Sequence, residues 1–187
     1  MEQIIALSLL VAVAAWMVAS FTRLEHLNRR VQQAWKKWNH ATRRRNDCLG
    51  DFVTVYASYL PREDMLPRKM RRWAEDSRRA LEELPHAPML GSSESLGLAE
   101  KHLQRLLRHT RRLMESNPPV DANEQLLGLY QAVSVSLRMQ VEEAHYYNRS
   151  VHDYNAALDE PITRLVAPLL GFAPVDELAQ LSPLSKN

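Results

Sequence analysis

The first feature of the chain is an apolar run over residues 4–21 that contains no charged side chain. As an α-helix, these 18 residues span about 27 Å, close to the hydrocarbon thickness of a bilayer, about 30 Å. Trp16 and Phe21 lie near the end of the run, where aromatic rings suit the membrane interface. We therefore predict a transmembrane helix over residues 4–22, after a short tail over residues 1–3.

A cleaved signal peptide is the alternative interpretation of this run. The residues before it, Met-Glu-Gln, carry no basic side chain, whereas a signal peptide normally begins with positive charge. Trp16 is also too bulky for the small-residue position upstream of Ala19-Ser20, where a cleavage site could lie. An uncleaved, single-pass anchor is the preferred interpretation.

After the anchor, apolar side chains recur at the alternating three- and four-residue spacing of amphipathic helices. The first such seam extends from Leu24 to Tyr59 and has one charged position, Arg45. Ser92 or Ser93 is the expected N-cap of the third helix. The remaining helices are predicted over residues 69–84, 95–115 and 121–159, followed by a short apolar segment over residues 162–170 that Gly171 ends as a C-cap.

Each of these helices can remove its apolar seam from water only by packing against the others. The pattern therefore predicts an all-α fold, in which the N-terminal transmembrane helix leads into a long antiparallel up-down helical bundle over residues 23–172. The length of the first helix suggests a stalk between membrane and bundle. Residues 173–187 are predicted to form a flexible C-terminal tail.

Basic residues are concentrated directly after the anchor. Residues 23–45 contain eight basic side chains and one acidic side chain, a net charge of +7, whereas residues 46–187 sum to −4. The positive-inside rule then places the bundle in the cytoplasm, and the basic side chains can attract an anionic leaflet. The overall charge of +2 and the lack of a recognisable motif argue against a nucleic-acid partner. The membrane-proximal basic residues are Arg23, Arg29, Arg30, Lys36 and Lys37.

The most distinctive local pattern is a repeated Tyr-Asn pair, Tyr147-Asn148 and Tyr154-Asn155, at a spacing of seven residues. Seven residues are close to two helical turns, so both pairs lie on one helical face. Val151 lies between the pairs, Gly171-Phe172 follows after Pro161, and Arg44-Arg45-Asn46-Asp47 lies upstream. In this order the motifs resemble the LemA family over about residues 21–172.

The resemblance implies an up-down helical bundle, a bacterial inner-membrane location and no established enzymatic activity. The sequence departs from the family pattern at Ser136-Leu137-Arg138-Met139, where a Glu-Asn-Arg-like group is usual, and Cys48 separates Asp47 from Leu49. The candidate structural or interaction residues are Arg44, Arg45, Asp47, Tyr147, Asn148, Val151, Asp153, Tyr154, Asn155, Gly171 and Phe172.

Two interpretations of the Tyr-Asn face are open at this point. A tyrosine in a bundle seam buries its ring but needs a partner for its hydroxyl, and a neighbouring asparagine can supply one. The alternative is a ligand pocket near Tyr147 and Tyr154, which an enclosed polar cavity would favour over a filled seam. Arg45 in its seam needs a carboxylate partner, and we expect Asp153 to provide it.

Catalytic and metal sites are not predicted. Glu142-x-x-His145 has the spacing of di-iron bundles, but the other such unit, Glu83 to His86, crosses a proline at a helix end. No nucleophile elbow, phosphate loop or pair of catalytic carboxylates is recognisable. The single cysteine, Cys48, is expected to be a half-buried thiol. We therefore expect neither enzymatic activity nor a cofactor nor a small-molecule substrate.

The functional prediction is a membrane-anchored helical scaffold of the LemA type in the bacterial inner membrane. Its expected partners are the lipid bilayer and either another protein or a second copy of the chain. The alternative is a membrane-tethered sensor or ligand-binding module that uses the Tyr-Asn face.

Overall fold

The computed structural model describes residues 1–61, 63–84, 86–89, 91, 93–117, 123–161 and 163–178. The described ranges are 83% helical and contain no β-strand, which confirms the predicted all-α class. The helices are α1 (Glu2–Tyr56), α2 (Leu66–Glu83), α3 (Glu94–Glu115), α4 (Glu124–Leu158) and α5 (Thr163–Val166), with short 3-10 turns at Ala57–Tyr59 and Pro168–Leu170.

Helix α1 runs without interruption through the predicted anchor and the first seam, a length of 55 residues. No proline occurs before Pro61, and Gly50 is tolerated inside the helix because the surrounding seam is packed. The apolar N-terminal part is long enough to cross a membrane, and none of it is buried. Its leucine, isoleucine and valine side chains are exposed.

The starts of the other helices differ slightly from the predicted ones. Helix α2 begins at Leu66 because Pro67 is tolerated in the first turn, where its missing N–H would have no helical partner, and the Asp64 carboxylate accepts the Leu66 N–H at 2.8 Å. Helix α4 begins after Asn123, whose side chain accepts the Leu126 N–H at 2.8 Å. These two side-chain bonds define the helix starts more closely than apolar periodicity can.

Helices α1 and α4 lie antiparallel along the bundle. Asn123, before α4, donates to the Tyr59 hydroxyl beyond the far end of α1, at 2.6 Å. At the other end, Arg23 of α1 pairs with Glu160, just after α4, at 2.7 Å. The up-down arrangement of the long helices is therefore as predicted.

Helices α2 and α3 form a hairpin that packs on this pair. The Trp35 indole donates to the carbonyl of Leu84 at the end of α2, at 3.3 Å. The side chain of Gln32 accepts the Ala87 N–H at 3.1 Å. These two bonds place the turn of the hairpin beside the first half of the bundle part of α1.

The bundle begins immediately after the candidate membrane anchor, the apolar run over residues 4–21. Leu24 is fully buried, only three residues beyond Phe21, the last residue of the apolar run. The predicted stalk is therefore wrong, because packing of α1 against the rest of the chain starts at the end of the anchor. The core consists of two apolar clusters along the bundle, one near the anchor and one at the far end.

The chain does not leave the bundle at residue 172. Val175 and Leu178 are buried in the core cluster near the anchor, although we expected residues 173–187 to form a flexible tail. Residues 173–178, called here the C-terminal segment, are extended and lie against α4. Residues 179–187 lie outside the described part of the chain.

Candidate functional site

The two Tyr-Asn pairs of α4 bind the C-terminal segment. The Asn155 amide donates to the Val175 carbonyl at 2.9 Å and accepts the Val175 N–H at 3.1 Å. The Tyr154 hydroxyl donates to the carbonyl of Ala173, two residues earlier, at 3.1 Å. One Tyr-Asn pair therefore satisfies three backbone groups of an extended chain.

The second pair repeats this arrangement. Asn148 donates to the Leu178 carbonyl at 3.0 Å and accepts the Leu178 N–H at 2.8 Å. The Tyr147 hydroxyl donates to the carbonyl of Asp176, again two residues earlier, at 2.8 Å. We call the two pairs and the C-terminal segment the Tyr-Asn clamp.

The spacing of the motif follows from the geometry of a helix beside an extended chain. Seven residues of α-helix rise about 10.5 Å. Three residues of extended chain cover about 10 Å, and the two binding positions on the segment, Val175 and Leu178, are three residues apart. A seven-residue repeat on α4 is therefore in register with a three-residue repeat on an antiparallel extended segment.

The tyrosine rings of the clamp are part of the core. Tyr147 is fully buried and its ring lies 5.5 Å from that of Trp35, while Val151, between the pairs, is also fully buried. Burial, with the nearby charges of Asp176 and Glu177, raises the pKa of the Tyr147 phenol above its ordinary value. The hydroxyl therefore remains protonated and able to donate to the backbone carbonyl.

The C-terminal segment also reaches the α2–α3 hairpin. The Asp176 carboxylate accepts the Gly91 N–H at 2.8 Å, the Ser93 N–H at 3.3 Å and the Ser93 hydroxyl at 2.9 Å. Val175 forms an antiparallel bridge with Met89. Ser93 precedes α3 as predicted, but its side chain forms no cap bond to the helix, and the expected alternative, Ser92, lies outside the described residues.

A buried polar cluster lies at the middle of the bundle, around Arg45. Arg45 is fully buried, and its guanidinium donates to both oxygens of the Glu100 carboxylate on α3, at 2.6 and 2.8 Å. Gln140 of α4 bonds to both partners, and Ser77 of α2 donates to Glu100 at 2.7 Å. Side chains from all four long helices therefore meet at one ion pair.

The prediction that Asp153 is the partner of Arg45 is wrong. Asp153 lies closer to the C-terminal end of α4, where its carboxylate is 3.6 Å from Arg30. Glu100 was missed as a site residue, although it lies on the apolar face of α3 between Leu96 and Leu103. A charged residue on an apolar helical face was the available signal.

The Glu100 carboxylate is held in its charged form. Burial alone would raise its pKa, but the charge of Arg45 and the hydrogen bonds from Arg45, Ser77 and Gln140 outweigh that effect. The pKa of Glu100 is therefore lowered below its ordinary value. The cluster is a charged, hydrogen-bonded contact inside an apolar core.

The model of the LemA family matches residues 34–183, a range that includes the buried cluster and both sides of the Tyr-Asn clamp. The chain belongs to the LemA family. No curated protein matches it. The LemA family is not known as an enzyme family.

The other motif residues of this LemA protein lie in separate places, and Phe172 alone among the four described next is buried. Arg44 is exposed on α1, and Asp47 is exposed with its carboxylate 3.9 Å from Arg78. Gly171 ends the last 3-10 turn with a φ of +79°, a left-handed conformation that suits glycine and agrees with its predicted role as a C-cap. Phe172 is buried, and its ring lies 5.7 Å from that of Phe21.

Several of the membrane-proximal basic residues have local partners. Arg23 pairs with Glu160 and Arg30 with Asp153, and both pairs join α1 to the end of α4. Arg29 pairs with Glu25, one turn earlier on α1, at 2.8 Å. The ammonium of Lys37 lies 5.6 Å from the centroid of the Tyr146 ring, and Lys36 is exposed.

The histidines do not assemble a metal site in the described part of this LemA protein, where no three His, Cys, Asp or Glu side chains converge. His145 is exposed, and His102 stacks on Trp73 at 4.3 Å between ring centroids. Cys48 is half-buried, as predicted.

Proposed function

We propose that this LemA protein is a non-catalytic helical scaffold, anchored in the bacterial inner membrane by the first part of α1 and holding its bundle in the cytoplasm. The observation that carries the proposal is the Tyr-Asn clamp. Its two tyrosine hydroxyls and two asparagine amides all bond to backbone inside the chain. The Tyr-Asn face of α4 therefore has a structural role, because it holds the C-terminal segment of the same chain.

This observation weighs against the alternative, a sensor or ligand-binding module. A ligand site on this face would need accessible polar groups, but both tyrosine rings are buried and the C-terminal segment covers the asparagines. The seam around Tyr147 and Tyr154 is filled with protein. A filled seam favours a structural role.

The cytoplasmic orientation rests on the net charge of +7 over residues 23–45, directly after the apolar run. The ion pairs of Arg23 and Arg30 with residues near the end of α4 do not weaken this argument. Topology is set during insertion by the basic residues flanking the anchor, and acidic residues contribute little.

A scaffold needs a surface for its partner, and the open face of the α1–α4 pair provides one. The α2–α3 hairpin packs on the pair, whereas Val135, Met139 and Tyr146 of α4 stay about two-fifths exposed. A groove follows this face and is lined on α1 by Lys37 and Arg44. Small residues such as Ala132 and Gly128 line the α4 side and allow close helix approach.

The charges of this face fit a second copy of the chain. Two copies in one membrane can be related by a two-fold axis along the membrane normal, so that equivalent residues lie at the same distance from the bilayer. Across this axis, α1 of one copy faces α4 of the other. Lys37 and Glu143 line the same stretch of the groove, on α1 and α4 respectively. In such a dimer each basic α1 edge meets an acidic α4 edge at the same height.

A charge-reversal pair tests the proposal in the full-length chain reconstituted in vesicles. Lys37→Glu alone and Glu143→Lys alone each place like charges together twice in a homodimer, so energy transfer between labelled chains should fall. Mixing the two variants restores both attractive contacts, so transfer should return. Lys101→Glu, an exposed charge on α3, is the matched control and should leave transfer unchanged.

Equal energy transfer for Lys37→Glu and wild type would exclude this face as the contact between copies. The proposed orientation is tested separately. A reporter fused after Asn187 should be active only as a cytoplasmic reporter. Activity only as an extracytoplasmic reporter would overturn the proposed orientation.

A further inference from the structure

Three leucines close to the anchor are left uncovered by the bundle. The side chains of Leu165 and Leu169 are 74% and 85% exposed, and that of Leu170 is 40% exposed. Single exposed leucines are ordinary on protein surfaces. Three within six residues form an apolar patch, called here the leucine patch.

The patch is formed by one side of a short helical segment. Thr163 and Ala167, one turn apart, are buried against the bundle. Leu165 and Leu169, also one turn apart, lie on the other side of the same segment. The segment is therefore amphipathic, with its apolar outer side facing away from the protein.

Contacts to α1 fix the height of the leucine patch. Phe172, two residues after Leu170, packs its ring 5.7 Å from that of Phe21, the last residue of the apolar run. Just before the segment, Glu160 pairs with Arg23 at 2.7 Å. Both ends of the segment are thus attached to α1 where its lipid-facing surface ends.

We propose that the leucine patch is a second membrane contact, seated in the interfacial region of the same leaflet that the anchor leaves. The inference rests on the proposed membrane anchorage and goes beyond it. The apolar surface continues from α1 onto the patch, and the exposed cation of Arg164 beside it suits lipid phosphate. The bundle is then held against the bilayer at two points.

Lipid fits the patch better than a protein partner at the same place. A protein covering Leu165 and Leu169 would have to share the height of the bilayer interface, where lipid already surrounds α1. An amphipathic segment at that height removes its leucines from water without any partner, because the acyl boundary accepts them.

The test uses the full-length chain in phosphatidylethanolamine–phosphatidylglycerol vesicles. In a Cys48→Ser background, single cysteines are introduced as Leu169→Cys, Val13→Cys or Met65→Cys and labelled with an environment-sensitive fluorophore. Val13 lies in the anchor, and Met65, 51% exposed, precedes α2 at the far end of the bundle. Quenching by a doxyl group on the lipid chain is compared with quenching by aqueous iodide.

If the leucine patch lies in the membrane interface, lipid doxyl quenches the label at Leu169→Cys several-fold more than the label at Met65→Cys. Iodide then quenches the Leu169→Cys label only weakly. Iodide quenching equal to that at Met65→Cys overturns the inference, provided that the Val13→Cys label is quenched by lipid. Protection from both quenchers also overturns it, since protein would then cover the patch. A Val13→Cys label open to iodide overturns the proposed anchorage itself.

Discussion

Arg45 and Glu100 place two opposite charges at the centre of the bundle, each almost completely removed from water. Burial of such a pair weakly favours folding at best, because the attraction mainly offsets the lost hydration. We expect the main effect of the pair to be on the specificity of helix packing. Gln140 and Ser77 bond to the same carboxylate, so the four long helices can satisfy these groups only in one relative register.

Removal of one partner of this pair should be strongly destabilising. Glu100→Gln leaves the Arg45 charge buried without a counter-charge, and we expect the free energy of unfolding to fall by about 3–5 kcal/mol. The matched control is Glu115→Gln, which removes an exposed pair with Arg111 and should change it by at most about 1 kcal/mol. Urea unfolding in mild detergent, followed by circular dichroism, measures both. Equal losses for the two variants would contradict the burial of the pair.

The same carboxylate should make the bundle sensitive to acid. Because the folded-state pKa of Glu100 is lowered, its stabilising contribution is present above the unfolded-state pKa of about 4.3 and is lost as the pH falls toward the folded value. The urea concentration at the unfolding midpoint of the wild type should therefore decrease once the pH falls below about 4. In Glu100→Gln this part of the acid dependence should disappear, and an unchanged acid profile would rule out the assignment.

At the scale of elements, the Tyr-Asn clamp joins parts of the chain that no helix–helix contact connects. Residues 173–178 run along α4, and through Asp176 they reach the backbone before α3. Each asparagine side chain bonds to the segment through both its amide and its carbonyl oxygen, as a neighbouring strand would. The clamp therefore gives an extended segment backbone partners on the surface of a helix.

Loss of one clamp asparagine should release part of this segment. Asn155→Ala removes both bonds to Val175 and should lower the free energy of local opening by about 1–3 kcal/mol. Hydrogen exchange measured by mass spectrometry should become faster in residues 173–178, while α1 stays protected. Asn39→Ala, which removes a bond within the surface of α1, is the control. Unchanged exchange in 173–178 would show that the bonds of Asn155 do not hold the segment in place.

For the whole molecule, the decisive feature is that the proposed membrane anchor and the bundle share one helix. Packing of α1 begins at Leu24. The ion pair of Arg23 with Glu160 joins α1 to the end of α4 at the level where the apolar run ends. A bundle joined in this way has little freedom to swing on its anchor, since no loop or glycine separates the two parts.

A charge in the middle of the anchor should release the whole protein from membranes. Val11→Arg places a cation near the bilayer centre, where arginine costs about 2.5–3.5 kcal/mol. The fraction that resists carbonate extraction should fall sharply. Val135→Arg, a comparable change on the exposed face of α4, should leave that fraction at the wild-type level. Extraction of both variants to the same extent would argue against α1 as the anchor.

The sequence alone determined the candidate membrane helix, the all-α class and the long helices, because each depends on local patterns. An uncharged run of sufficient length indicates a membrane span, and a repeat of three and four residues indicates a buried helical face. Helix ends were less well determined, since the starts of α2 and α4 depend on single side-chain bonds from Asp64 and Asn123.

Tertiary structure decided which distant groups meet. The carboxylate partner of Arg45 is Glu100, which is 55 residues away in the sequence. Glu100 interrupts the apolar face of α3. The repeat of Tyr-Asn pairs was visible in the sequence. The segment that the pairs bind, residues 173–178, contains a proline and has no sequence repeat that would reveal it as their partner. Periodicity reports which face of an element is buried, whereas pairing depends on where the folded chain brings other elements, and only packing in three dimensions fixes that.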